Sequence, residues 1–70
     1  MEYIVVRFRD SRDVFVDGQQ MGKTDETLRV EAGRHTVDLG EPENYTPKWR
    51  RPVIQDTTSL CPLEVTFEPE

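Results

Sequence analysis

The chain has one cysteine and one histidine in 70 residues. A single cysteine excludes an internal disulfide. Cys61 and His35 fall short of the four ligands that a structural zinc site needs. A lone histidine also leaves nucleophilic catalysis without its usual nucleophile, base and orienting group. Hydrophobic residues are scarce, at 34%. The longest unbroken apolar run, Tyr3–Val6, is far below the about 20 residues of a membrane-spanning helix and the roughly 7–15 of a secretory signal core. Membrane insertion is not expected. Positive charge is outnumbered too: the net charge is −5 and the isoelectric point about 4.8. Such a chain repels phosphate backbones at long range, so nucleic acid is not an expected partner.

What is present is enough for one domain, residues 1–70. A domain of this size buries about 60% of the surface of its unfolded chain, which leaves a thin stability margin. Natural folds below roughly 70–80 residues often add a disulfide, a metal or a partner. With the first two excluded, the core must suffice or another protein must help. If residues 1–70 are the whole product, the expected compartment is the cytoplasm, where a single thiol stays reduced. As a domain excised from an envelope protein, it would share its parent's address.

Glycine and proline punctuate the chain, and between them lie runs rich in Val, Ile, Thr and Phe, the composition of strands. Ile4, Val6 and Phe8 alternate with Val5, Arg7 and Arg9, giving one apolar face. Val14-Phe15-Val16 leads into Asp17-Gly18, a pair suited to a tight hairpin turn. Gly22 marks a second turn or a bulge. Leu28 and Val30 share a face, as do His35, Val37 and Leu39, and Glu31-Ala32-Gly33 between them reads as a three-residue hairpin loop. Pro52 sits inside the run Lys48–Gln55 and implies an edge or a bulge there. Leu63, Val65 and Phe67 close the chain. The expected fold is all-β: a small antiparallel β-sandwich of about six or seven strands. Its expected core is Ile4, Val6, Phe8, Val14, Val16, Leu28, Val30, Val37, Leu39, Trp49, Val65 and Phe67. Arg7 and Arg9 on the first strand and Glu64 and Glu68 on the last would form cross-strand charge pairs if those strands are neighbours.

The order Val14-Phe15-Val16-Asp17-Gly18, Gly22-Lys23-Thr24, Leu28-Arg29-Val30, Ala32-Gly33-Arg34-His35-Thr36-Val37 and Tyr45-Thr46-Pro47 resembles the PEGA domain over about half the chain. The Pro-Glu-Gly-Ala string that names the family is absent; Asp10-Ser11-Arg12-Asp13 stands near its place. The resemblance implies a small β-sandwich module, often attached to envelope or surface proteins, that mediates interaction and carries no enzyme activity or cofactor.

Read for chemistry, the chain offers little. His35 shares a strand face with apolar residues and reads as a partly buried structural histidine. Cys61 lies beside Pro62 with no basic neighbour in sequence to activate its thiol. Glu41 and Glu43, and Asp25 and Glu26, read as solvated surface. No catalytic, metal or cofactor residue is assigned. The densest basic cluster, Lys48-Trp49-Arg50-Arg51, holds the single tryptophan and follows Tyr45. On a strand, Trp49 and Arg51 face one side while Lys48 and Arg50 face the other. Tyr45, Lys48, Trp49, Arg50 and Arg51 are the candidate interaction residues of a non-enzymatic protein-binding module. Its partner is expected to be another protein, or a second copy added along a strand edge. The alternative is a carbohydrate or cell-envelope polymer stacked on Tyr45 and Trp49, which requires both rings to be exposed on one surface.

Overall fold

The computed structural model describes residues 1–70. The fold is all-β. Its ten strands are β1 (Glu2–Arg7), β2 (Asp13–Val16), β3 (Gln19–Lys23), β4 (Thr27–Val30), β5 (Gly33–Arg34), β6 (Val37–Asp38), β7 (Tyr45–Thr46), β8 (Val53–Ile54), β9 (Leu63–Thr66) and β10 (Glu68–Pro69). Two three-stranded sheets, ordered β4-β1-β9 and β3-β2-β6, carry most of the strand residues. Two short pairs, β5-β8 and β7-β10, complete it. The count exceeds six or seven because the longer runs are broken into two-residue pieces. Pro52, for example, separates a lone bridge at Arg50 from β8, since proline cannot donate to a ladder.

Pairing is antiparallel except between β1 and β9, which run parallel with Val6 opposite Val65. Apolar alternation looks the same in either direction, so the sequence pattern holds no information on this point. The central strand β1 buries Ile4, Val5 and Val6 together, as a strand covered on both faces does. The first strand and β9 are neighbours, the condition for the charge pairing considered above. Arg7 lies 3.7 Å from Glu64 and 3.1 Å from Asp25.

The β2–β3 hairpin turns at Asp17 (φ 53°) and Gly18 (φ 81°). Two positive φ values in succession mark a two-residue turn whose twist matches the flanking strands. Gly22 belongs to a bulge: Val14 pairs with Gly22 but Phe15 with Gln20, so Met21 is extra. The hairpin expected at Glu31-Ala32-Gly33 does not form. β4 pairs with β1, while β5 pairs with β8 and β6 with β2. The segment instead crosses from one sheet to the other, with Gly33 at φ 120°. A glycine at a sharp backbone change serves either purpose, and pairing is decided by non-local burial.

One cluster of 13 buried side chains holds the fold. It contains eleven of the twelve expected core residues, with Tyr45 and Ile54 in addition and Trp49 left out. Both main sheets contribute to it, β1, β4 and β9 from one side and β2 and β6 from the other. No buried side-chain nitrogen or oxygen lacks a hydrogen-bond partner. Thr24 is the only buried polar residue. Its hydroxyl donates to the Asp10 carbonyl and accepts from the Arg12 amide, 3.1 Å in each case. Its own amide donates to the Arg12 carbonyl at 2.9 Å. The threonine of Gly22-Lys23-Thr24 thus ties down the connection between β1 and β2.

Candidate interaction surface

The segment from Gly40 to Arg51 is a loop interrupted by the two residues of β7, which pair with β10. The peptide bonds Glu41–Pro42 and Thr46–Pro47 are cis. Tyr45 is only 1% exposed, which corrects its expected place on the interaction surface. Its ring meets Phe67 and Phe8 edge to face, with centroids 5.5 and 6.2 Å apart, a favoured geometry for aromatic pairs. Its hydroxyl donates to the Gly40 carbonyl at 3.0 Å and accepts from the Leu39 amide at 3.3 Å. Burial pushes the phenol's pKa up, and the Leu39 amide opposes that rise. The ring keeps its proton and closes the loop onto the strand it leaves, a tie of the kind seen in tyrosine corners.

Arg12 completes this closure from outside. Its guanidinium donates to Asn44 Oδ1 at 2.8 Å, to the Pro42 carbonyl at 2.8 Å and to the Leu39 carbonyl at 3.3 Å. It also lies over the Phe8 and Tyr45 rings, 5.7 and 5.4 Å from their centroids, within cation–π range. Its sequence neighbourhood is a polar connection, and no local pattern singles it out.

The four residues of the basic run divide. Lys48 Nζ donates to the carbonyls of Glu43 (2.7 Å) and Tyr45 (3.1 Å) and pairs with Glu70 at 2.7 Å. Arg50 bridges Val37 through its backbone, and its Nε donates to the Thr66 carbonyl at 2.8 Å. Both basic groups are engaged within the domain. Trp49 and Arg51 flank Arg50 in the chain, and both are exposed. Trp49 is 56% exposed, which corrects its expected place in the core. The Arg51 side chain is exposed and enters no ion pair. The two rings the sequence suggested for one stacking platform therefore lie on opposite sides of the protein boundary. Met21, Val53 and Leu60 are also exposed, each on a different segment, and Trp49 is the one aromatic among the large exposed hydrophobics.

His35 is partly buried, with its side chain 16% exposed. Its Nδ1 lies 2.7 Å from Asp17 Oδ2 and its Nε2 lies 2.8 Å from the Glu31 carbonyl. The hydrogen bond to Asp17 raises its pKa above 6.5, burial works against this, and the Glu31 carbonyl adds to the rise. The same contact lowers the Asp17 pKa, helped by the Thr36 amide bonded to Oδ1. No nucleophile takes part. Cys61 is exposed, in a short turn closed by bonds with Thr58. No three His, Cys, Asp or Glu side chains are placed to hold a metal ion. No family model matches the chain, and neither curated proteins nor solved structures yielded a match.

Proposed function

We propose that this domain is a non-enzymatic protein-interaction module whose contact surface is centred on Trp49, with Arg51 beside it. The observation that carries the reading is the exposure of the single tryptophan in a domain that buries Tyr45, Phe67 and Phe8. Leaving an indole in water forgoes the burial that a core this small could use. Tryptophan and arginine are also the side chains most enriched where interfaces concentrate their energy. The residues that resemble the PEGA domain favour the same reading. Against the polymer-binding alternative, Tyr45 has no face to offer a sugar, and a single indole makes a poor platform for a repeating chain.

The test is capture with the immobilised 70-residue chain, comparing wild type with Trp49→Ala and Arg51→Ala. Far-UV circular dichroism serves as the control for folding. Both variants should fold as wild type does. Trp49→Ala should weaken capture by about 30-fold or more, the size of a loss at an interface centre. Undiminished capture by folded Trp49→Ala would move the site elsewhere, with the free strand edges next to be tested by proline substitution.

A further inference from the structure

The two acceptors around His35 leave one protonation state that satisfies both. A carboxylate oxygen and a peptide carbonyl oxygen can only accept hydrogen bonds, so both ring nitrogens must carry hydrogen. The ring fits its site as an imidazolium. A neutral imidazole would set a nitrogen lone pair against an oxygen lone pair on one side, and the ring would have to leave that side. The contacts come from separate elements: Asp17 from the β2–β3 turn and Glu31 from the exit of β4. Asp17 also binds the chain beside His35 through both its backbone and its side chain. Its amide donates to the Thr36 carbonyl at 2.7 Å, and its Oδ1 accepts from the Thr36 amide at 2.9 Å.

The stretch held in this way carries the segment that presents Trp49. The His35 amide donates to the Pro52 carbonyl, Val37 and Arg50 exchange backbone bonds at 2.7 and 2.9 Å, and Gly33 and Arg34 pair with Ile54 and Val53. The charged groups facing the ring pair are Asp17, Glu31 and, from the Trp49 segment itself, Arg51, whose positive charge acts on Asp17. A shallow depression of about 210 Å³, with Val16, Val30 and Met21 among its lining residues, opens beside the ring and gives solvent protons a route to it.

We infer that His35 is a proton-operated latch: charged, it locks the β2–β3 turn and the β4 exit together and fixes the 49–54 segment, and neutral, it releases one of its two acceptors and loosens that segment. The latch regulates the Trp49 surface, a consequence that rests on the proposed function. The latch itself is a property of the free domain.

Because Trp49 is the only tryptophan, its emission reports on the segment without any partner. The experiment follows the His35 ring resonances by NMR and Trp49 fluorescence across pH 5–9 on the 70-residue chain, for wild type, His35→Gln and Asp17→Asn. In wild type, His35 should titrate above 6.5, and the Trp49 emission and the amide resonances of residues 49–54 should move with the same midpoint. Asp17→Asn should shift that midpoint downward for both probes. His35→Gln should abolish the pH response of Trp49. Should His35→Gln fail to fold, the paired midpoints in wild type and Asp17→Asn decide alone. Titration of His35 at or below 6.5, or a Trp49 signal that is flat while His35 titrates, overturns the latch. Neither result bears on whether Trp49 binds a partner, which the capture assay reads separately.

Discussion

The exchange of roles between Tyr45 and Trp49 makes the sharpest prediction about this domain. Replacing Tyr45 by Phe removes one buried oxygen and leaves the ring. The Leu39 amide and the Gly40 carbonyl then lose their shared partner. Orphaning buried polar groups in this way costs about 1–3 kcal/mol. A 70-residue domain has about 3.5–10 kcal/mol in total to lose. With a urea slope of about 1 kcal/mol/M, at the low end for small proteins, the unfolding midpoint should fall by about 1–3 M. Trp49→Ala removes a much larger side chain from a mostly exposed site and should stay within about 0.5 kcal/mol of wild type. The assay is urea unfolding followed by far-UV circular dichroism, which both variants report equally. A midpoint for Trp49→Ala below that of Tyr45→Phe would refute the assignment of inside and outside to these two rings.

Three further outcomes are expected. Thr24→Val keeps the shape of the side chain but strips the bonds to Asp10 and Arg12, so it should cost about 1–3 kcal/mol, while Thr24→Ser should recover most of that in the same urea assay. Gly40→Ala should destabilise more than Gly18→Ala as judged by thermal melting: both have positive φ, but a Cβ at Gly40 would lie 2.6 Å from the Phe15 ring, whereas nothing lies within 4 Å at Gly18. Stability should also depend on pH through the His35–Asp17 pair. The raised His35 pKa contributes stability that is complete below its unfolded value of 6.5 and is lost as pH rises through its folded value. The lowered Asp17 pKa contributes above 3.8 and is lost as pH falls through its folded value. The pair's contribution is therefore greatest between about pH 4 and 6.5. Urea midpoints measured across pH 3–9 should show that window in wild type, and Asp17→Asn should flatten it.

The sequence carried the strands and most of the core because those are set locally. Alternation along Ile4, Val6 and Phe8, or Val14 and Val16, fixes which side chains must leave water. Asp17-Gly18 fixes a turn because few residue pairs tolerate two positive φ values. The charges of Arg7 and Glu64, which meet at 3.7 Å, were legible as a pair once their strands are set side by side. Strand partnership was not. Glu31-Ala32-Gly33 has the composition of a hairpin loop, yet β4 turns back onto β1 and β5 goes to β8. The parallel run of β9 beside β1 joins the two ends of the chain, and no short window contains both.

The expected interaction site was half legible for a related reason. The run Lys48–Arg51 was visible by composition. Which ring enters the core depends on where the loop from Gly40 returns. Arg12, more than 25 residues upstream of Leu39, helps to set that return through the carbonyls of Leu39 and Pro42.

By itself, then, the sequence determined that the chain is β, where its tight turn falls, and which eleven side chains form most of its core. It also determined that no disulfide holds the domain together. Those properties follow from the alternation, φ preference and composition of neighbouring residues. The tertiary structure decided which strands meet, that Tyr45 closes the core while Trp49 faces water, and that His35 stands between two acceptors. Each of these depends on groups brought together from distant parts of the chain, where burial and hydrogen-bond satisfaction are settled for the molecule as a whole.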